Sequence, residues 1–330
     1  MELSQRKIKI LNSAVEEFIK DSAPITSMSV KDKTALDVST ATLRNELNAL
    51  EAMGFLKQLH TSGGRVPTAQ GYRFYVENLL RDVKATNGEL EEVRTIIENR
   101  TQSLADMISK IAKVISKATN YPTVVMMNGI ENLILTEFKI IPLLDEKCMV
   151  LIGTNYGYIS ETMDFSATLE NCHDASNYLT KYFKGETMGY LLDNIDEYMR
   201  GMSGEIKAFQ GVVNNIIKGL SRLNKQKLLN VQTDGMAELV DKDDDIKGTK
   251  KIIKMLNDKD ELIEVLDKTE DKISADVTED LSVIKAPIIV GGNKLASIGV
   301  IGPQKMGYSG IASALKVVID ELNNRDRNGG

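Results

Sequence analysis

The spacing of apolar residues in the first 80 positions predicts three short amphipathic helices. The first begins near Ser4, and its apolar residues recur every three or four positions: Ile8, Leu11, Val15, Phe18 and Ile19. Pro24 follows that helix, and the second helix then starts with Ser27 as its N-cap and carries Val30. Ser39 is the predicted N-cap of the third helix, whose apolar stripe is formed by Leu43, Leu47 and Leu50.

A short hairpin is predicted directly after the third helix. Gly54 suits the end of that helix, residues 55–60 have the composition of a strand, and residues 61–64 end in two glycines, which favours a tight turn. Arg65 and Val66 then start the return strand. Three helices followed by a glycine-tipped hairpin are typical of a winged helix-turn-helix, so residues 1–80 are predicted to form such a domain.

The remaining pattern mixes helices and strands, so the predicted fold class is α+β. Residues 81–118 are predicted to form a linker helix, and strand-like runs follow at 123–127, 137–143, 148–153 and 158–165. Most of the region 168–280 has helical spacing, and a hairpin at 286–301 precedes a final helix at 309–322. We therefore predict a sheet domain at 119–167 and 281–325, interrupted by a mainly helical insertion at 168–280 and followed by a polar tail at 326–330.

Charge changes this picture only in part. The 330 residues carry 41 Lys and Arg against 47 Asp and Glu, a net charge of −6. That balance argues against a protein that binds nucleic acid over its whole surface, because phosphate binding requires local positive charge. The first 80 residues hold ten basic and nine acidic side chains, so the excess of negative charge lies downstream. A DNA-reading domain with few, specifically placed contacts remains compatible with these numbers.

The composition favours a cytoplasmic protein. Two cysteines, Cys148 and Cys172, are too few for a disulfide framework, and the first residues lack the apolar stretch of a signal peptide. No uncharged apolar run approaches the ~18–20 residues that cross a bilayer. The expected environment is therefore the reducing cytoplasm.

Enzymatic and metal-binding patterns are weak in this chain. Cys172 and His173 are neighbours in a predicted helix and point about 100° apart, which disfavours a thiol–imidazole pair. The acidic stretch 241–248 lacks the glycine and glutamate of a calcium loop, and Gly291 with Gly292 lacks the third glycine of a dinucleotide site. We expect no enzyme activity, no cofactor and no metal site.

Candidate DNA contacts lie at the start of the third helix and at the hairpin. In helix-turn-helix docking the N-terminal part of the recognition helix meets the bases, and the forked side chains of Arg44 and Asn45 match guanine and adenine edges. Thr40 is expected to share an outward face with Arg44. The full predicted set is Ser39, Thr40, Thr42, Arg44, Asn45, Thr61, Ser62, Gly63 and Arg65. The structural alternatives are an ion pair of Arg44 with Glu46 or Glu51, and simple solvation of Arg65 in the hairpin.

Two stretches of the chain resemble the HrcA family of heat-inducible transcription repressors. The first runs through STATLRNEL at 39–47 and HTSGGRVPT at 60–68 to GYRFYV at 71–76, and the second is GVIGPQKMGY at 299–308. The resemblance extends along the chain in order but is weak between 168 and 280, where TDGMAE at 233–238 departs from the usual family motif.

The resemblance implies a homodimeric repressor with an N-terminal winged helix and a GAF-like α/β domain that carries an inserted dimerisation domain. It also implies binding to CIRCE, an inverted-repeat operator upstream of chaperone operons, and support by the GroE chaperonin.

Two other function classes stay open at this point. A small-molecule sensor would need a roomy, partly polar pocket between the sheet and its helices, whereas a scaffold would fill that space with side chains. A protein-interaction module would fail to bind duplex DNA at low salt. An inverted repeat requires a two-fold protein, and apolar residues of the insertion are candidates for either its interface or an ordinary core: Tyr178, Leu179, Tyr182, Phe183, Phe209, Val212, Val213, Ile216 and Ile217.

Overall fold

The computed structural model describes residues 3–33, 38–59, 64–83, 90–99, 103–127, 130–201, 208–225, 228–232, 246–290 and 293–328. The N-terminal unit consists of four helices and a two-stranded antiparallel hairpin. Its elements are α1 (Gln5–Asp21), α2 (Ser27–Lys33), α3 (Thr40–Ala52), β1 (Leu56–Gln58), β2 (Arg65–Pro67) and α4 (Ala69–Leu79), followed by a 3₁₀ turn at Leu80–Asp82. The apolar stripes of α1 and α3 form its core.

Local hydrogen bonds explain where these helices begin and end. Ser39 is confirmed as the N-cap of α3, because its hydroxyl accepts from the Thr42 amide at 3.1 Å. The prediction for α2 is wrong by one residue. Thr26, not Ser27, lies before the helix and exchanges hydrogen bonds with Ser29 through both side-chain hydroxyls. Gly54 adopts a left-handed φ of 82° just after α3, a conformation that glycine tolerates better than other residues.

The predicted linker helix is two helices, α5 (Leu90–Glu98) and α6 (Leu104–Thr119). Ser103 starts α6 as an N-cap, since its side chain accepts from the Asp106 amide at 3.0 Å. Helix α6 packs on the central sheet and on the C-terminal helix α12 (Tyr308–Asn328), so it belongs to the body of the protein. Helix α12 also continues into the predicted polar tail, because the chain has neither Gly nor Pro between Ile311 and Asn328.

A five-stranded antiparallel sheet forms the centre of the body. Its strands are β3 (Thr123–Met127), β7 (Leu228–Gln232), β8 (Ser274–Val277), β9 (Ser282–Val290) and β10 (Asn293–Gly302), in the order β7-β3-β10-β9-β8. Alternate residues of β3 point to opposite faces of the sheet. Val125 belongs to the core on the face covered by α6 and α12, and Val124 belongs to the core on the other face, covered by α10 (Ile246–Asn257) and α11 (Lys259–Asp267). Helices therefore cover both faces of the sheet.

A second sheet lies apart from the first. Strands β4 (Leu135–Pro142), β5 (Cys148–Thr154) and β6 (Gly157–Met163) pair only with one another among the described strands. Helix α7 (Leu169–Phe183) lies along the edge strand β4, and the hydroxyls of Ser176 and Thr180 accept from the amides of Ile140 and Phe138 at 3.0 and 2.9 Å. Helices α8 (Met188–Gly201) and α9 (Gln210–Lys225) complete this unit.

Strand pairing differs from the division predicted at the sequence level. Strands β4–β6 do not join the sheet of β9 and β10, and two strands occur where helix was predicted, β7 and β8. Both are short: β7 has five residues and β8 has four, too few to produce a clear alternation. The acidic stretch 241–245 lies outside the described residues. The mixed α+β class itself is confirmed.

Most apolar residues proposed for a dimer interface lie in the core of the same chain. Leu179 and Phe183 of α7 and Val213 and Ile216 of α9 are fully buried. The ring of Tyr178 contacts the rings of Tyr182 and Phe209 in tilted arrangements. Tyr182 and Ile217 are half-buried against the same core. For the buried members of the set the alternative of an ordinary core is therefore correct, because α7 and α9 pack against each other through them.

Candidate nucleic-acid interface

Helix α3 presents a continuous outward face. Its inward stripe, Leu43, Leu47 and Leu50, is fully buried. The exposed positions follow helical spacing on the other side: Ala41, Arg44, Asn45 and Asn48. Two members of this face were predicted as DNA contacts, and Ala41 and Asn48 were not. The helical spacing of the sequence could have identified both residues, because Asn48 lies one turn after Arg44 and Ala41 lies one turn before Asn45.

The start of α3 carries three of the predicted contacts. Ser39 is exposed, whereas Thr40 and Thr42 are half-buried. The hydroxyls of Ser39 and Thr42 lie 2.9 Å apart, and Ser39 also caps the helix. Both hydroxyls thus organise the helix start, where backbone amides favour an anion such as phosphate. Thr40 is less outward than Arg44, contrary to the expectation that they share one exposed face.

Arg44 forms no ion pair with any described residue. The two carboxylates weighed as its partners bind other cations. Glu46 accepts from Arg6 and Lys7 of α1, with ion-pair distances of 2.6 and 2.8 Å, and Glu51 pairs with Arg65. The Arg44 guanidinium is exposed and available for an external acceptor.

Glu46 is a buried carboxylate that joins α1 to α3. Only 6% of the residue is exposed. The hydrogen bond from Lys7 is the main reason that the pKa of Glu46 is lowered, and the bond from Arg6 acts in the same direction against the cost of burial. Arg6 and Lys7 are therefore held by Glu46 and fix the orientation of α3.

Arg65 connects the hairpin to α3. Its Nε donates to Glu51 Oε2 at 2.8 Å, its Nη2 donates to Asn48 Oδ1, and its side chain is 13% exposed. Its backbone pairs with Ile25 through two hydrogen bonds of 2.8 and 2.9 Å. The predicted wing-tip residues Thr61, Ser62 and Gly63 lie outside the described residues. Within the described part, Arg65 holds the base of the hairpin against the outward face of α3.

Gly64 permits the close approach of the hairpin to the segment before α2. A Cβ at this position would lie 2.7 Å from Pro24 Cβ and 2.9 Å from the carbonyl oxygen of Ile25. A side chain there would separate the two backbones. The glycine that indicated a turn in the sequence is required for packing.

The thiol–imidazole pattern does not assemble into a site, whereas residues 241–245 of the acidic stretch and the pair Gly291 and Gly292 lie outside the described residues. Cys172 is buried beside Cys148, and burial raises its pKa to about 11, whereas His173 is exposed beside Asn177. The thiol and the imidazole thus point apart. Among the described residues, no group of three or more metal-ligating side chains occurs, and no described helix is long and apolar enough to span a membrane.

Much of the space between the central sheet and its helices is filled in the described part of the chain. Apolar side chains occupy both faces of the sheet. A cavity of about 330 Å³ remains between strand β9 and helix α12, lined by residues that include Leu80, Ile273, Ile289 and Ile319. The packed part matches the scaffold expected of the central domain, and the cavity, which charged as well as apolar side chains line, lies where the sensor alternative expects its pocket.

Comparisons with known proteins agree along the whole chain. The family model described as "HrcA protein C terminal domain" matches residues 105–312. A protein named heat-inducible transcription repressor HrcA from Thermoanaerobacter sp. (strain X514) is 28% identical, covering 98% of this chain and 97% of the relative. The protein of the same name from Acetivibrio thermocellus is 27% identical, covering 98% and 96%. A crystal structure of a hypothetical protein aligns over 100% of both chains with a TM-score of 0.63 and 20% identity, which supports the fold alone.

Proposed function

Because the chain belongs to the HrcA family of heat-inducible transcription repressors, we propose that it represses transcription by inserting α3 into the major groove of a specific operator. The observation that carries this proposal is the exposed face of α3, on which Arg44 has no ion-pair partner among the described residues while its neighbouring carboxylates bind other cations. Family membership places the chain among transcription repressors rather than enzymes.

We propose that residues 1–80 act as a winged helix. Three helices precede an antiparallel hairpin, and the register pairs Lys57 with Val66 and Gln58 with Arg65. In this reading Arg44 and Asn45 read base edges, while Ser39, Thr40 and Thr42 approach phosphates at the helix start. Thr61, Ser62 and Gly63 are proposed as wing contacts on the basis of the sequence. Arg65 supports both α3 and the wing through Glu51 and Asn48.

The remaining parts of the proposal come from the family resemblance. We propose a CIRCE-type inverted repeat as the operator, a homodimer as the binding species, and GroE as a chaperonin that supports repression. The central five-stranded sheet would form the GAF-like domain. Strands β4–β6 form a separate sheet, and α7–α9 pack with it as one unit. We therefore propose that this unit is the inserted dimerisation domain, which then begins near residue 135 and not near 168.

Operator binding by Arg44→Ala tests the base-reading role. A good bidentate contact contributes about 1–3 kcal/mol of discrimination, so we expect affinity for the operator to fall by roughly 5- to 150-fold, with unchanged thermal stability. Arg94→Ala is the matched control, because Arg94 is an exposed arginine on α5, outside the proposed DNA surface and the proposed dimerisation domain. Titration should show two chains per inverted repeat, and adding the chaperonin should raise the bound fraction.

If Arg44→Ala bound the operator as tightly as wild type, the proposal that the exposed face of α3 contacts DNA bases would be wrong. Failure of the wild-type chain to bind any duplex at low salt would favour the protein-interaction module instead. Arg65→Ala should also weaken binding, and its circular dichroism should show that the helices persist.

A further inference from the structure

The two sequence stretches that resemble the HrcA family meet in space. One ends in α4 with Tyr72, Arg73 and Tyr75, and the other ends at Tyr308, more than 200 positions later. The ring of Tyr308 lies 6.3 Å from the ring of Tyr72 and 6.3 Å from that of Tyr75, measured between centroids. All three rings are buried. The contact joins the proposed DNA-reading unit to the central sheet domain.

Lys305 makes a second contact between the same two units. Its ammonium hydrogen-bonds the hydroxyl of Ser22 and lies 5.6 Å from the centroid of the Phe18 ring. Ser22 is the C-cap of α1, where its amide donates to the Phe18 carbonyl. A cation at this position is favoured by the helix dipole as well as by the aromatic ring. The loop before α12 therefore holds the C-terminal end of α1.

Further hydrogen bonds fix both sides of the contact. Arg73 Nη2 donates to the carbonyl oxygen of Val277, at the end of edge strand β8, at 3.0 Å. Gln304 Nε2 donates to the carbonyl of Thr278 at 2.7 Å. The Tyr308 hydroxyl donates to the Gln304 carbonyl at 2.5 Å and lies 2.8 Å from Ser282 Oγ. The loop is thus anchored to the sheet at one end and to α1 and α4 at the other.

We infer that these contacts form a joint that positions the DNA-reading unit, with Lys305, Tyr308 and Arg73 as positioning residues for operator binding. The joint comprises Phe18, Ser22, Tyr72, Arg73 and Tyr75 on one side, and Val277, Thr278, Gln304, Lys305 and Tyr308 on the other. None of the joint residues belongs to the exposed face of α3. The joint acts on how the two α3 helices of a dimer are presented together, and this inference rests on the proposed function.

The physical reason is effective concentration. Once one subunit has bound its half-site, the second α3 reaches the other half-site only if both units are held at the required spacing and orientation. A loosened joint spreads the second unit over many orientations. Affinity for the complete inverted repeat then falls, while the intrinsic affinity of one unit for one half-site stays the same.

The test compares Lys305→Ala and Arg73→Ala with wild type on two duplexes, the inverted repeat and an isolated half-site. We expect about tenfold weaker binding to the inverted repeat, which corresponds to about 1.4 kcal/mol, and unchanged binding to the half-site. Lys268→Ala is the matched control, since Lys268 is exposed and pairs with Glu264 on α11. Unchanged affinity for the inverted repeat, or equal loss on both duplexes, would overturn the inference.

A distance measurement reads the joint without DNA. Spin labels at Lys20→Cys on α1 and Lys259→Cys on α11 sit on exposed positions of the two units. Their distance distribution should be narrow in the wild-type background and broader with Lys305→Ala or Arg73→Ala, and an unchanged width would overturn the inference. If the wild-type chain bound no operator, the proposed function would be wrong. The width of the distance distribution would still show whether the joint holds the two units in a fixed arrangement.

Discussion

Glu46 offers a direct test of how the proposed recognition helix is held in place. The substitution Glu46→Gln keeps the shape of the side chain but removes the charge that binds Arg6 and Lys7. Hydrogen bonds to charged groups contribute about 1.5–3 kcal/mol. Arg6 is half-exposed and regains water when its partner is lost, so we expect the local stability of α3 to fall by about 2 kcal/mol, roughly the worth of one such bond.

Amide hydrogen exchange measures this loss where it occurs. Protection of buried α3 amides such as those of Leu47 and Leu50 reports opening of the helix. A loss of about 2 kcal/mol corresponds to roughly 30-fold faster exchange. Glu264→Gln is the control, because Glu264 is exposed on α11 and pairs only with Lys268 among the described residues. That variant should leave α3 exchange unchanged.

The pH dependence of the difference has a definite sign. The pKa of Glu46 is lowered in the folded chain, from an ordinary value of 4.5, mainly by the Lys7 hydrogen bond. Its stabilising contribution is therefore present at neutral pH and is lost as pH falls below 4.5 and through the folded-state pKa. The ratio of exchange rates between variant and wild type should shrink toward one in acid. Equal protection at neutral pH, or a ratio that persists in acid, would refute the reasoning.

Two further predictions concern packing and thiol reactivity. Gly64→Ala should destabilise the N-terminal unit by about 1–3 kcal/mol in urea unfolding, because the added Cβ would overlap Pro24. Gly310→Ala is the control and should be neutral or stabilising, because open space surrounds the added carbon. Equal stability of the two variants would contradict the packing argument. Cys172 should react slowly with a thiol reagent at pH 8, because its pKa is raised to about 11 by burial, and rapidly once the chain is unfolded in urea; fast labelling of the folded chain would show that the thiol is accessible.

Local structure was largely predictable from the residues. The stripe of Leu43, Leu47 and Leu50 and the cap at Ser39 define α3 in the sequence, and the structure has both. Strands β3 and β10 were also predicted close to their observed positions. These features depend on interactions within a few residues, such as an N-cap hydrogen bond or the period of a buried face. A short segment of sequence is therefore enough to predict them.

Partners between distant segments were decided only by the tertiary structure. The sequence placed Glu46 and Glu51 near Arg44, but a chain of 330 residues has many cations, and only the folded chain selects Arg6, Lys7 and Arg65 as their partners. The same holds for the short strand β7, which is stabilised by pairing with β3, a strand far earlier in the chain. Lys305 and Tyr308 likewise belong to a recognisable motif, yet their contact with α1 and α4 arises only when the sheet edge brings the units together.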